Sequence, residues 1–320
     1  MPVDGASAGR HLPTDGGIWQ HERMNAQNDP LRLDPRVLRR RLDRAATRFD
    51  GAAVLYREVG RRLVERLDYI RLQPEAMLDL GCATGINTEA LRKRYPGARY
   101  VAMDLAAPLV AKARRRGGRW RRPPGVCGGL ERLPFRNDSF DLVFSSLAFH
   151  RVPDLSATAR ELQRILRPGG VLMFATFGPD TLDELRRAWQ TVDATPHVHG
   201  FVDMHDIGDA LVNARLADPV MDMEHFTLTY SDVPALVGDL DALGLRNALV
   251  ARQRGLTTPR RWRAMEAAYN HLRDADGRLP ATWEVAYGHA WGTDAQTQIK
   301  AESGEVRVPV DTLSMPRRTR

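Results

Sequence analysis

Two aspartates and a glycine-rich turn are the residues whose spacing most directly indicates chemistry. Asp79 lies in a short apolar run that Gly81-Cys82-Ala83-Thr84-Gly85 follows at once, and Asp104 ends the next apolar run. Glycine lets backbone approach a ligand closely or adopt a positive φ. A carboxylate at the end of a parallel strand can accept hydrogen bonds from both hydroxyls of a ribose. The pattern predicts a nucleoside cofactor here, with Asp79 accepting from its ammonium group directly or through water.

A second group of polar side chains follows a later apolar strand, within residues 145–152. His150 could act as a general base or contact the substrate, and a packing or capping role is the alternative. Arg151 could pair with a substrate carboxylate, because a guanidinium forms two parallel hydrogen bonds to one. Cys82, by contrast, has no base or positive charge nearby in the sequence, so we expect its thiol to pack under the cofactor rather than react.

Alternating strands and helices must position these groups. We predict strands at residues 76–80, 100–103, 140–145 and 171–177, and a further strand or loop at 125–129, with helices between them. Strands separated by helices indicate an α/β fold, in which a mostly parallel Rossmann-like sheet carries helices on both faces. Helical periodicity ahead of the first strand adds N-terminal helices.

The chain divides into four predicted segments. Residues 1–33 are rich in Gly, Asp, Asn and Pro and are expected to be disordered. Residues 34–180 are expected to form the cofactor-binding core together with the N-terminal helices. Residues 181–291 are expected to form an α+β extension on the substrate side that completes the sheet, with a pair of strands at 220–230. Residues 292–320 are expected to be a basic, extended tail.

The net charge of +7 indicates a surface that attracts something acidic. Arginines supply nearly all of the excess, and many are clustered, at residues 39–41, 114–122 and 317–320. An acidic carrier protein, an anionic small molecule or a nucleic acid would match this charge. Solvated helix faces and a loose tail are the alternative.

The remaining bulk features bear on location and on metal binding. The two cysteines have neither the spacing of a disulfide framework nor that of a metal site. The sequence shows no secretory signal and no apolar run long enough to span a membrane. We therefore expect a cytoplasmic protein with no metal and no membrane partner.

Residues 76–178 resemble the class I S-adenosylmethionine-dependent methyltransferases of the type 11 group. The glycine turn and the acidic second strand precede the runs Leu130-Glu131-Arg132-Leu133-Pro134-Phe135 and Ser139-Phe140-Asp141-Leu142-Val143. The resemblance implies S-adenosylmethionine as cofactor, bound by Asp79, Gly81, Cys82, Thr84, Gly85, Asp104, Leu105, Leu130, Glu131 and Ser145. The chain departs from the family at Gly129, where an Asp that receives the adenine amino group is common. Backbone at Leu130 and apolar packing are expected to hold adenine instead.

Residues 35–291 resemble the malonyl-acyl-carrier-protein O-methyltransferases of biotin synthesis. The most specific runs are Phe177-Gly178-Pro179-Asp180-Thr181-Leu182, Asp203-Met204-His205-Asp206-Ile207-Gly208-Asp209 and Leu279-Pro280-Ala281-Thr282-Trp283. The resemblance implies methyl transfer to the free carboxylate of a malonyl thioester, on acyl carrier protein or on coenzyme A. Because a carboxylate is already nucleophilic at neutral pH, catalysis would rest on positioning rather than on a general base.

Four residues are candidates for the acceptor side: His150, Arg151, Phe49 and Tyr56. In the family, Tyr is often found near the position of Phe49 and Gln near that of Tyr56, so this chain differs at both. The two could close over the cofactor, order the substrate carboxylate or simply pack.

Three other functions stay open. The respiratory complex I assembly factor group has a similar fold and similar motifs but is linked to arginine hydroxylation. A non-catalytic module that binds the cofactor or a protein would explain the altered positions 49, 56 and 129. A nucleic-acid methyltransferase would match the charge, but no RNA-binding module and no Asn/Asp-Pro-Pro-Tyr/Phe motif is present, so no nucleic-acid partner is expected.

Overall fold

The computed structural model describes residues 32–116 and 122–294. They form one seven-stranded sheet in the order β3-β2-β1-β4-β5-β7-β6. The strands are β1 Ala76–Leu80, β2 Arg99–Asp104, β3 Gly125–Cys127, β4 Phe140–Ser146, β5 Leu166–Phe177, β6 Ala217–Tyr230 and β7 Leu279–Trp291. Strands β1 to β5 pair in parallel, and β7 pairs antiparallel with both β5 and β6. The predicted α/β class is confirmed.

The order of strands reverses between β1 and β4, because the chain first builds outward through β2 and β3 and then returns to the other side of β1. In sheets of this kind, ligands bind outside the carboxyl ends of the strands at that reversal. Residue 81 follows β1, Asp104 ends β2, and residues 145–152 begin at the end of β4. The topology therefore brings the three predicted groups to one edge.

Helices cover both faces of the sheet. They are α1 Pro35–Ala45, α2 Phe49–Ala52, α3 Val54–Arg66, α4 Thr88–Arg94, α5 Ala107–Arg116, α6 Leu155–Ile165, α7 Asp183–Gln190, α8 Met204–Asn213, α9 Val233–Ala242 and α10 Pro259–Asn270. Residues of β1 alternate between the two cores: Met77 packs with residues of α3, and Leu78 with residues of α6 and α8. The strand is fully buried, as expected of a parallel strand covered on both sides.

The N-terminal helix α1 begins where its sequence signals require. Asp34 caps it by accepting from the backbone N–H groups of Arg36 and Val37, and Pro35 is the first helical residue. Leu38 and Leu42 lie on its buried face in a small separate cluster with Leu249. This packing ties the N-terminal helix to a loop of the C-terminal half.

The predicted pair of strands at 220–230 is wrong, because β6 is one continuous strand. It pairs with β7 from Ala217 opposite Trp291 to Tyr230 opposite Leu279, with one irregularity between Ala217 and Val220. Burial along β6 alternates, as expected of an edge strand with one solvated face. Residues 220–230 contain no Gly, Pro, Asn or Ser, and Asp222 pairs with Tyr287, so the strand continues without a turn.

Two predicted segments fall largely outside the described residues: the disordered N-terminal segment at 1–33 and the basic tail at 292–320. Part of the arginine cluster at 114–122 and all of that at 317–320 also lie outside. Among the described residues, no helix has both the length and the apolar character needed to cross a membrane.

Candidate active site

The turn after β1 is held in a conformation that explains its glycines. Gly81 and Gly85 have φ of +75° and +79°, and Ala83 between them also has a positive φ, 48°. A Cβ at residue 81 would lie 2.3 Å from the Cβ of Ala148, so no larger residue fits there. The left-handed backbone at Ala83 costs about 1–2 kcal/mol, a cost that glycine at this position would not have.

Hydrogen bonds join this turn to the end of β2. The N–H groups of Gly81 and Cys82 donate to the carbonyl of Met103 at 2.8 and 2.9 Å. The carboxylate of Asp104 accepts from the N–H of Ala83 at 3.0 Å and from that of Ala106 at 3.1 Å. Turn and carboxylate are therefore fixed relative to each other before any ligand binds.

Two buried carboxylates make this edge acidic. Asp79 and Asp104 are 1% and 2% exposed, and neither forms an ion pair within the part of the chain that the structure describes. Burial raises the pKa of Asp79 to about 7, although the Tyr100 hydroxyl donates to it, and burial also raises the pKa of Asp104. Both shifts would be relieved by a bound cation.

Several of the predicted cofactor residues line one small cavity of about 70 Å³. Gly81, Asp104, Leu105, Leu130 and Glu131 contribute to it, together with Gly129 and with Leu33, Leu38 and Leu42 from the N-terminal segment. A nucleoside is larger than this space, so residues that line it would have to move apart to admit one. A Cβ added at Gly129 would meet nothing within 4 Å.

The other predicted cofactor residues lie beside this cavity without lining it. The Thr84 hydroxyl donates to Asp50 of α2, which also pairs with Arg116 at 2.9 Å, so Thr84 joins the turn to the N-terminal helices. Burial raises the pKa of the Cys82 thiol well above its usual value, with Asp79 and Asp104 adding to the shift. The thiol therefore stays protonated and unreactive.

Unpaired polar atoms gather where β4 ends. The hydroxyls of Ser145 and Ser146, both ring nitrogens of His150 and Nε of Arg151 are buried without a hydrogen-bond partner. Buried polar groups are normally paired, so a cluster of unpaired ones needs an explanation such as a ligand. The two buried carboxylates beside the turn, of which Asp104 lines the small cavity, and the unpaired Ser145 hydroxyl together fit a cationic nucleoside cofactor.

The four candidate acceptor-side residues are close together. Arg151 donates through Nη2 to the Tyr56 hydroxyl at 2.8 Å. The ring of Tyr56 packs edge-on against Phe49, with centroids 5.1 Å apart, and the ring of His150 lies 4.6 Å from that of Phe177. Phe49 is fully buried and makes packing contacts, one of the roles expected for it. Tyr56 packs as well and also has a polar contact.

The electrostatic surroundings keep His150 neutral. Burial lowers its pKa well below the usual value, and the positive charge of Arg151 and the nearby His199 lower it further. A neutral imidazole offers one donor and one acceptor nitrogen. It can contact an acceptor molecule but has no charge with which to pair it.

On the far side of Phe177 lies a second, larger cavity of about 620 Å³. Its inner wall is apolar and aromatic, and includes Phe177, Leu182, Leu185, Trp189, Phe201 and Trp283. Its polar lining includes Arg41, His199, Arg246, Arg252 and Arg254. No sequence pattern indicated these polar residues as site residues. Only the arginine cluster at 39–41 and the family-like run that contains Trp283 pointed to this part of the molecule.

The chain is similar to known methyltransferases, both in the segment that carries the glycine turn and over most of its length. A family model described as a methyltransferase domain matches residues 78–174. The chain is 48% identical to malonyl-acyl-carrier-protein O-methyltransferase of Halorhodospira halophila, over 91% of this chain and 99% of that protein. It is 48% identical to the protein of the same name from Laribacter hongkongensis, over 85% and 94%. A Bacillus halodurans structure assigned as a methyltransferase matches with a TM-score of 0.54 at 17% identity, over 74% of this chain and 100% of that one, and supports the fold alone.

Proposed function

The chain belongs to the malonyl-acyl-carrier-protein O-methyltransferase family, and we propose that it methylates the free carboxylate of a malonyl thioester on acyl carrier protein. It is an S-adenosylmethionine-dependent methyltransferase. The observation that carries the proposal is the group of unpaired polar atoms on Ser145, His150 and Arg151. Arg151 lines the small cavity together with Asp104, and His150 packs against Phe177, which lines the arginine-lined cavity. A cationic methyl donor suits the first region and an anionic acceptor the second.

On the donor side, the chain's task is to hold the cofactor. S-adenosylmethionine, when bound, supplies a methyl group activated by its positively charged sulfur. Asp104 is placed to accept from the ribose hydroxyls, and Asp79 from the ammonium group. Gly81 lines the cavity, and it must be glycine because a side chain there would clash with Ala148. Leu105, Leu130 and Glu131 line the remaining wall.

On the acceptor side, the chain must orient a carboxylate. Because the carboxylate is already ionised at neutral pH, no proton has to be removed, and His150, held neutral, can donate a hydrogen bond to one oxygen. The unpaired Nε of Arg151 supplies a charged donor, while its Nη2 is fixed by Tyr56. Alignment of carboxylate oxygen with the methyl group accounts for rate, since orientation can supply about 7–11 kcal/mol.

The surrounding aromatic residues exclude water. Phe49, Tyr56 and Phe177 pack around the meeting point of the two regions, and removing water strengthens each charged contact inside. Methylation neutralises the acceptor carboxylate, so the ester product loses its charged contact with Arg151. This loss favours product release without a further chemical step.

Growth of a biotin auxotroph tests the proposal in cells. A strain that lacks its own malonyl methyltransferase is expected to grow without biotin when it produces this chain, and to fail with the Asp104→Ala variant at equal protein level. Failure of the wild-type chain, although it accumulates and binds S-adenosylmethionine, would overturn the proposal. The alternative thioester carrier is coenzyme A, and rates with purified malonyl-acyl carrier protein and malonyl-coenzyme A distinguish the two. A cytoplasmic location stays a prediction.

A further inference from the structure

The 620 Å³ cavity has a division of chemistry that the methyl transfer itself does not require. A carboxylate acceptor needs donors near His150, yet the charged residues that line this cavity belong to other segments, 34–41 and 246–254. Four arginines and one carboxylate, Asp34, line it among the described residues. The excess positive charge calls for an anion at this second position.

The arginines are incompletely neutralised. Arg252 contacts Asp34 at 3.3 Å and donates to the Leu249 carbonyl at 2.7 Å. Arg41 donates through Nη2 to the Asn247 carbonyl at 2.7 Å, while its Nε is buried without a partner. Burial lowers the pKa of Arg41, and the positive charges of Arg246 and Arg252 lower it further. Arg41 and Arg252 thus both carry positive charge that a bound anion would stabilise.

The inner wall offers a different kind of contact. The indole Nε1 of Trp283, a residue only 2% exposed, has no hydrogen-bond partner. Phe177, Leu185 and Trp189 line the same part of the cavity. An apolar wall with one unpaired N–H suits a slender chain that carries amide or thioester carbonyl groups.

We propose that this cavity binds the phosphorylated pantetheine arm of the thioester substrate, with the phosphate at Arg41 and Arg252 and the arm against Phe177 and Trp283. The inference rests on the proposed function, because that function sets the thioester acceptor. It deepens the function by naming a second recognition point, far from the carboxylate that is methylated. Carrier-bound and coenzyme A-bound acyl groups both have this phosphate, so either source presents the same chemistry.

Binding can be measured without any methyl transfer. Three tryptophans line the cavity, Trp189, Trp262 and Trp283, so their fluorescence should report its occupation. We expect phosphopantetheine to bind about tenfold more tightly than pantetheine, because charge-assisted hydrogen bonds to phosphate are lost in the second. Equal binding of the two, or no binding of either at millimolar concentration, would overturn the inference.

Two variants localise the phosphate contact. Arg41→Gln is expected to bring the ratio of the two affinities to within about threefold of one, and Arg254→Gln at the exposed mouth to lower it less. Arg263→Gln, an exposed arginine of α10 outside the cavity, is the matched control and should preserve the ratio. An unchanged ratio in Arg41→Gln, or an equal fall with both ligands, would contradict the assignment; if Arg41→Gln does not fold, the ratio in Arg254→Gln decides.

Kinetics with synthetic substrates separates this inference from the proposed function. The wild-type chain should show about tenfold higher kcat/KM for malonyl-phosphopantetheine than for malonyl-pantetheine. Ester formation without that preference would overturn the phosphate site and leave the function intact. Absence of ester from these substrates and from malonyl-acyl carrier protein would overturn the function, and the fluorescence ratio would still decide the site. Comparison of malonyl-acyl carrier protein with malonyl-coenzyme A identifies the source.

Discussion

The donor side and the acceptor side of this site are built in opposite ways. The donor side centres on the turn at residues 81–85 and the end of β2, where the buried carboxylates are Asp79 and Asp104, and leucines of the N-terminal helix line the same small cavity. The acceptor cavity is assembled from the N-terminal helix, the segment after β5, the loop before α10 and β7, and its charged lining is mostly arginine. The two carboxylates lie on neighbouring strands, whereas the arginines that we propose to bind an anion come from segments far apart in the sequence.

The two sides meet at residues that belong to neither alone. Arg151 lines the donor cavity beside Asp104 and reaches Tyr56 of α3. His150 packs against Phe177, which lines the acceptor cavity. The division of charge indicates that the chain has a separate site of complementary charge for each reactant. The short run after β4 lies between the two sites.

The largest expected effect concerns the donor side. Replacing Asp104 by Ala should weaken S-adenosylmethionine binding by about 100-fold, because hydrogen bonds to a charged acceptor are each worth about 1.5–3 kcal/mol. Calorimetric titration measures this affinity directly, and Asp276→Ala, an exposed carboxylate in the turn before β7, is the control. Unchanged affinity in Asp104→Ala would remove the basis for placing the ribose here.

A smaller loss is expected at the junction. Arg151→Gln should lower kcat by about 30-fold, since a buried charged hydrogen-bond donor is lost, and Tyr56→Phe should lower it less because the guanidinium stays. Steady-state rates with saturating cofactor give both values. If Tyr56→Phe lowers kcat as much as Arg151→Gln does, the hydroxyl has a role of its own beyond fixing the guanidinium.

The acidity of the donor side should appear as a pH dependence of cofactor binding. With a pKa of about 7, Asp79 is largely protonated below neutral pH, and a cationic ligand favours its ionised form. Affinity for S-adenosylmethionine should therefore fall by about tenfold from pH 7.5 to pH 6 and stay level above neutral pH. Calorimetry at several pH values measures the profile. The Asp79→Asn variant should lack this dependence; the same slope in that variant would assign it to another group.

The smallest expected effect is a gain. Gly129 lines the donor cavity, and a Cβ added there would meet nothing within 4 Å, so Gly129→Asp introduces a carboxylate acceptor at a position with room for its Cβ. We expect about threefold to tenfold tighter binding of S-adenosylmethionine, the worth of about one hydrogen bond. Gly97→Asp, at a glycine that also has open space around it but lies away from the cavity, controls for added charge. Unaltered affinity in Gly129→Asp would place the adenine elsewhere.

The same contrast explains what the sequence could predict. The donor turn is contiguous, and its glycine spacing follows from backbone conformation, so Gly81, Gly85 and Asp104 could be located before the structure was known. The strand alternation likewise predicted the α/β sheet, which is confirmed. The roles assigned to His150, Arg151, Phe49 and Tyr56 stay predictions, although the structure places the four residues together.

The acceptor cavity could not be predicted in the same way. Arg41 contacts Asn247, which lies 206 positions further along the chain, and no local pattern reports a contact of that range. The sequence around His199 does not distinguish it from other loop residues, yet its Nε2 accepts a hydrogen bond from the distant N–H of Ala248. Continuity of β6 was missed for a related reason, because its pairing with β7 rather than its own residues determines where the strand ends.

Intact-mass measurement of the acceptor tests most directly whether the two sides act together. After incubation with the chain and S-adenosylmethionine, malonyl-acyl carrier protein should gain the mass of one methylene group, located by fragmentation on the malonyl carboxyl. Acetyl-acyl carrier protein, which lacks that carboxylate, should gain none. Absence of the gain on malonyl-acyl carrier protein, or an equal gain on both carriers, would contradict the account.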